Sequence, residues 1–392
     1  MGTVFNLVVE EAGIGIVTFD VVRDRMNTWT DDAFRSFAEV MDEIEKAKGL
    51  RGIIFISGKP DNFLAGANLK LIEQMEKAQE VRTMIETFHA SFARLAALGI
   101  PSVAAIHGYC LGGGLEFALA CTGRIAKEGK STLIGLPECN VGLFPGAGGT
   151  QRLPRLIGYP AIELILKGTM LPAAKASEMG IVDRTIPADG DLLKAAGIFI
   201  EDIIAGRADL KRPVHDFSTI DEAVEQAKAG VLKATRGREL PAPMLALKTI
   251  REGLKASLAE GLAIERRNFV EVALTREAKG SINAFFLKGM TDKPQAMMTK
   301  GFTPQAIRKA AVLGFGTMGR GIIIDILRNT RLPVLVKDIP EAISPGKAFV
   351  RKILEGMAEK KRLSEPVEAV MARLTTTSEY IDGFRDADIV IE

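Results

Sequence analysis

Ala105-Ile106-His107-Gly108-Tyr109-Cys110-Leu111-Gly112-Gly113-Gly114-Leu115-Glu116 sets an apolar run, a triple glycine and a carboxylate side by side. Pro101 introduces the run, Ser102–Ile106, whose unbroken apolar character is that of a buried strand in an α/β sheet. The glycines then open an apolar helix that reaches about Cys121. Glycine lets backbone approach a ligand closely, and the first N–H groups of a helix have no partner inside it. Such groups point at developing negative charge, and the helix dipole adds to the pull. Glu116 falls in the first turn.

Two neighbouring segments repeat the theme. In Ile134-Gly135-Leu136-Pro137-Glu138 a second carboxylate follows a rigid Gly-x-Pro turn within apolar sequence, and Asn140–Thr150 continues with dense glycine. Upstream, Phe63-Leu64-Ala65-Gly66-Ala67-Asn68-Leu69-Lys70 lies between a strand and a helix, where it can present a further N–H. A glycine-rich turn alone is commonly only a turn, and a first-turn Glu commonly only complements the dipole. Together the three segments supply two donors for an oxyanion and two nearby carboxylates, which suits proton transfer beside a carbonyl.

Working outward, Phe5–Val9 and Ile14–Phe19 flank Ala12-Gly13 as a hairpin. Asp31–Lys48 has helical periodicity, with Phe34, Phe37, Val40, Met41 and Ile44 on one face. Gly52–Gly58 is another buried strand, helical patterns follow at Leu69–Glu76 and Glu80–Leu98, and a short strand falls near Arg124–Ala126. This alternation to about residue 189 indicates α/β architecture. From Asp191 to about Thr299 the signals are helical, and near Pro304–Ala310 they switch to strand, glycine-rich turn and helix.

Composition narrows the function. The 392 residues allow two or three domains at ~100–200 residues each. Lys+Arg total 51 against Asp+Glu 49, so no net field favours nucleic acid. The three cysteines, Cys110, Cys121 and Cys139, form no C-x-x-C pair and read as buried free thiols. The start, MGTVFNLVVEE, lacks the pattern of a secretory signal, and no run reaches the ~18 apolar residues of a membrane span. A cytoplasmic protein is expected. His89, His107 and His215 belong to no metal motif, and neither a G-x-S-x-G elbow nor a phosphate-binding G-x-x-x-x-G-K-[ST] loop occurs.

The last segment carries its own motif. Ala310–Leu313 reads as a strand, Gly314-Phe315-Gly316-Thr317-Met318-Gly319 as a G-x-G-x-x-G turn, and Arg320 onward as a helix. Val334–Lys337 supplies a second strand ending at Asp338. That is the context for dinucleotide binding: Gly314, Gly316, Met318 and Gly319 around the phosphates, Asp338 on the adenosine ribose. An acid there favours NAD over NADP. Asp388–Glu392 reads as a buried strand in mid-pattern, and about 85 residues is small for such a fold.

The runs Phe63–Lys70, Ala105–Glu116, Ile134–Glu138 and Pro145–Gln151, with Arg25-Met26-Asn27-Thr28-Trp29, resemble the crotonase superfamily and, within it, enoyl-CoA hydratases. By that resemblance Ala67 and Gly113 hold a thioester oxygen, Glu116 and Glu138 are the paired catalytic glutamates, and Arg25, Met26 and Gly66 contact a coenzyme A thioester. Asn68 stands where the family commonly has Asp. The last segment resembles the start of 3-hydroxyacyl-CoA dehydrogenases, whose catalytic His and Glu would lie beyond residue 392. The order of parts is similar to the alpha-subunit family of bacterial fatty-acid oxidation complexes.

The resulting expectation is an α/β chain in three parts. Residues 1–189 form a crotonase-like spiral domain, 190–307 a helical region and linker, and 308–392 an incomplete Rossmann-type NAD-binding domain. The expected activity is hydration of a trans-2-enoyl-CoA, with NAD held only at a partial site. The alternatives are enoyl-CoA isomerisation, thioester hydrolysis, or a scaffold docking a thiolase subunit; an oligomer is expected, and no nucleic-acid partner.

Overall fold

Alternating apolar residues in β1 (Phe5–Val9) and β2 (Ile14–Phe19) pair the two strands antiparallel, with Gly13 at the turn in the left-handed region at φ +78°. The chain then winds. β3 (Gly52–Ser57) is followed by the short β4 (Asn62–Leu64), β5 (Ser102–Ile106) by β6 (Tyr109–Leu111), and β7 (Gly123–Lys127) by β8 (Leu133–Gly135). Each turn leaves one long strand in a first sheet and one short strand in a second. With β9 (Met170–Pro172) and β10 (Arg184–Ile186), the sheets run β1-β2-β3-β5-β7-β10 and β4-β6-β8-β9. Beyond the first hairpin, the long sheet is parallel throughout. The computed structural model describes residues 4–22, 24–210, 212–291, 305–380 and 382–392.

Helices α1 (Asp31–Lys46), α2 (Leu69–Gln74), α3 (Ala78–Ala96), α4 (Gly113–Ala120), α5 (Gly149–Ile157), α6 (Pro160–Lys167) and α7 (Ala173–Glu178) connect these strands. Thr30 caps α1 by accepting from Ala33 N–H, and Asn68 caps α2 by accepting from Lys70 N–H. An Asn therefore does at residue 68 what an Asp would do for the backbone. Trp29 stacks among Phe5, Phe34, Phe37, Phe88 and Phe117, so one aromatic cluster ties α1, α3 and α4 to the hairpin.

The helical stretch does not stand apart. α8 (Leu192–Ile204) lays Leu192, Ala196, Phe199 and Ile200 over Ile54, Val103 and Ile125, covering the second face of the long sheet. This is why those strands are apolar on both sides. α9 (Ile220–Ala234), α10 (Pro241–Leu254), α11 (Leu258–Ala273) and α12 (Arg276–Thr291) follow, with α11 against α3 and α5, and α12 against α2. Residues Met1–Asp292 form one compact unit and Lys293–Glu392 another. The end of the expected helical stretch and the switch near Pro304, in 292–304, lie outside the described residues.

The second unit is a parallel sheet in the order β13-β12-β11-β14, from β11 (Ala310–Leu313), β12 (Val334–Lys337), β13 (Leu374–Thr377) and β14 (Ile389–Ile391). Val312, Ile323, Leu327, Val336, Val350 and Leu354 make its core. Two expectations need correction. Among the described residues β14 pairs with β11 alone, at the edge of the sheet, and Ile389 and Val390 are exposed rather than buried. Cys110 and Cys121 are buried free thiols, but Cys139 is partly exposed on the turn Glu138–Val141.

Candidate active site

A cavity of about 860 Å³ opens within the first unit. The spiral brings the loops after β4, β6 and β8 to one wall, so Gly66, Ala67, Gly113, Glu116 and Glu138 all line it. Met26 lines it as well. Arg25 does not, and its side chain is exposed. Its neighbour Asn27 is buried and structural: its Nδ2 donates to Ser57 Oγ at 2.8 Å, and its Oδ1 accepts from Val21 N–H at 2.8 Å.

Trp29 holds the two donor loops. Its backbone N–H donates to Gly66 O at 2.9 Å in a strand-like bridge with Ala67, which turns the Ala67 N–H to the opposite edge. Its indole Nε1 donates to Gly113 O at 3.2 Å. Gly113 opens α4, so its own N–H has no carbonyl a turn back. Glycine is required here: Gly66 (φ +89°) and Gly112 (φ +54°) are left-handed, and a Cβ on Gly112 would sit 2.9 Å from Glu138 Oε1. Trp29→Phe removes the indole donor to Gly113 O and shrinks the side chain at the centre of the aromatic cluster, and urea unfolding is expected to show a loss of about 1–3 kcal/mol. Unchanged stability would contradict the tie.

The two carboxyls differ in their partners. Glu116 Oε1 accepts from Ala147 N–H and Gly149 N–H, both at 2.7 Å, which favours the ionised form. Burial nevertheless holds Glu116 well above the ordinary carboxylate range, and the charges of Glu138 and Glu265 add to the rise. Glu138 Oε2 is buried and has no hydrogen-bond partner among the described residues. Burial pushes the Glu138 carboxyl up to about 8, with the charge of Glu265 adding to it. Both carboxyls are thus held above the ordinary range, Glu116 facing two N–H donors and Glu138 with one oxygen left unpartnered.

Much of the wall was not legible as a site. Phe269 of α11, and Ser281, Phe285, Phe286 and Lys288 of α12, line the cavity. Lys279 fastens α12 to the end of α2 by donating to the carbonyls of Ile72, Glu73 and Met75. Glu265 is fully buried beside Glu116. In α11 it falls in the stripe Gly261, Glu265, Asn268, Val272, all buried, and a carboxylate on that stripe was the available signal.

In the second unit the residues fit NAD. Gly314 takes φ +100°, and a Cβ on Gly319 would lie 2.0 Å from Gly314 O, so the turn and the close helix–strand approach both need glycine. Gly316 caps the helix Thr317–Asn329 without a side-chain bond, and a Cβ there would meet nothing within 4 Å, leaving room for a pyrophosphate. Met318 is exposed in the first turn. Asp338 ends beside the turn and accepts from Phe315 N–H and from Ile339 N–H, which holds its carboxyl below the usual range.

The winding double sheet with a donor-lined cavity is the crotonase fold. A carnitinyl-CoA dehydratase from Mycobacterium thermoresistibile superposes with a TM-score of 0.58 at 20% identity, covering 78% of this chain and 97% of that one. Human mitochondrial delta3-delta2-enoyl-CoA isomerase superposes at 0.54 with 21% identity, covering 74% and 99%. Residues 9–235 match the enoyl-CoA hydratase/isomerase family, and the chain belongs to it. Residues 309–392 match the 3-hydroxyacyl-CoA dehydrogenase NAD-binding domain.

Whole-chain relatives carry both parts. The fatty acid oxidation complex subunit alpha of Shewanella sp. (strain MR-4) is 36% identical over 100% of this chain and 56% of that protein. Its counterpart in Shewanella frigidimarina (strain NCIMB 400) is 35% identical with the same coverage. The chain spans about half the length of the curated relatives it matches. Among the described residues no helix is long and apolar enough to cross a membrane, and no three His, Cys, Asp or Glu side chains group as a metal site.

Proposed function

We propose that the chain adds water across the double bond of a trans-2-enoyl-CoA, giving a 3-hydroxyacyl-CoA, within fatty-acid β-oxidation. The observation that carries this reading is the pair of unlike buried carboxyls on one wall: Glu116 with two N–H donors, Glu138 with an unpartnered oxygen. The thioester oxygen accepts from the N–H groups of Ala67 and Gly113, each worth ~2.7–4 kcal/mol to the developing enolate. Glu116 takes a proton from the water that attacks Cβ. Glu138 gives its proton to Cα. Glu116 leaves the cycle protonated and Glu138 ionised, and proton exchange with solvent resets both.

The pH profile follows from these states. A base with a raised pKa loses activity as pH falls through that value, and an acid loses it as pH rises through its own. A plot of log kcat/KM is therefore expected to fall on the acid side as Glu116 protonates, and on the alkaline side through about 8 as Glu138 ionises. A flat profile above pH 8 would contradict the acid assigned to Glu138.

The second unit offers its glycine turn to the pyrophosphate of NAD and Asp338 to the adenosine ribose. The match of this unit to the 3-hydroxyacyl-CoA dehydrogenase NAD-binding domain supports NAD-dependent oxidation of the 3-hydroxyacyl-CoA as the step that follows. A cytoplasmic location, an oligomer and a thiolase subunit as partner complete the reading, the last resting on the complex named for the Shewanella relatives. The direct test is the loss of absorbance of the conjugated enoyl thioester, followed across acyl-chain lengths. No loss at any length overturns the proposal.

A further inference from the structure

The segment 146–150 faces two carboxylates alternately. The N–H groups of Ala147 and Gly149 go to Glu116 Oε1, each at 2.7 Å. Those of Gly148 and Thr150 go to Glu265, at 2.6 Å and 3.1 Å, and Thr150 Oγ1 donates to Glu265 as well. His89 Nε2 closes the set, 3.0 Å from Glu265 Oε1 and 2.9 Å from Gly146 O. Gly148 has φ +108° and caps α5 without any side chain of its own. Glu265, from α11, therefore stands where a capping residue would stand, accepting the orphan N–H groups at the start of α5.

From this geometry we propose that Glu265 is a positioning residue for the hydration step: it grips every second N–H of the segment, so that the intervening ones are aimed at Glu116. The inference rests on Glu116 being the base of the proposed hydratase. Glu265 is not among the residues lining the cavity; it holds the segment through Gly148 N–H, Thr150 N–H and Thr150 Oγ1, and its charge acts on Glu116. Charged and titratable groups around Glu116 also include Glu138 on the neighbouring turn and Arg152 on α5, while His89 on α3 faces Glu265.

The expected consequences separate positioning from mere support. Glu265→Gln keeps the shape of the side chain, but its amide N–H meets an N–H of the segment instead of accepting it. Loss of aim at the base should lower kcat and kcat/KM equally, by ~10–100-fold, with KM unchanged. Loss of the Glu265 charge should also move the acid limb of kcat/KM to lower pH, because that charge raises the Glu116 pKa. A residue that only supports the fold would lower the amount of active enzyme without moving the limb. Glu265→Asp keeps the charge but withdraws it, so it should lower kcat while leaving the limb near its wild-type place.

The test is the pH profile of purified full-length Glu265→Gln, Glu265→Asp and Thr150→Val with a short trans-2-enoyl-CoA, beside Glu116→Gln. A lowered kcat and a shifted limb in folded Glu265→Gln support the proposal; wild-type values for both overturn it. Should Glu265→Gln fail to fold, Thr150→Val decides, since it removes one donor to Glu265: a severalfold lower kcat supports and an unchanged kcat overturns. Full activity in Glu116→Gln would instead overturn the assignment of the base, and is read separately.

Discussion

Glu138→Gln is expected to abolish hydration and isomerisation together, with kcat down by ~10²–10⁴-fold, the scale of one acid–base group. The Gln amide fills the same space but has no acidic proton for Cα. Glu138 is also the group able to carry a proton between carbons of a 3-enoyl thioester, because its Oε2 is buried and unpartnered. Glu116→Gln is expected to lose hydration by a similar factor while keeping isomerisation, since the water is no longer activated but the Cα proton still moves. Assaying both substrates with both variants checks this. More than a tenth of wild-type hydratase kcat in either variant would sink the assignment.

Gly114→Ala is the second large effect. A Cβ at residue 114 would fall 2.0 Å from Leu64 O, a backbone atom of β4 that cannot turn aside. α4 must then move away from β4, taking with it both the Gly113 N–H and Glu116, which share its first turn. Misplacing both by a fraction of an ångström to an ångström is expected to cost ~10²-fold in kcat. The overpacking should also cost about 1–3 kcal/mol of stability. Gly230→Ala in α9, where a Cβ meets nothing within 4 Å, is the control and should keep full activity. Equal kinetics in the two variants would contradict the close approach of α4 to β4.

What the sequence made legible was local. Ser102–Ile106 and the hairpin Phe5–Phe19 stand out by period and by bounding glycine or proline, and they occur as strands with those same ends. The triple glycine announced the helix start of α4, and Gly114 there lies against the backbone of β4. Long-range pairing was not legible. Glu265 lies far along the chain from the segment it grips, in a helix rich in charged residues, and only its place on the buried stripe of α11 sets it apart. The cavity wall formed by α12 was hidden for the same reason: Phe285 and Phe286 read as ordinary residues of a helical stretch until α12 packs on α2. Arg25, which the resemblance places on coenzyme A, is exposed and is not among the residues lining the cavity.

The most direct test of the central claim follows the product atom by atom. The full chain is incubated in deuterated water with a trans-2-enoyl-CoA, and the thioester is analysed by mass spectrometry and NMR. Two carboxyls and an oxyanion pair acting as described predict loss of the conjugated absorbance, a hydroxyl on Cβ, one solvent deuterium on Cα and an intact thioester. Unchanged substrate, or release of free coenzyme A without hydration, would contradict it.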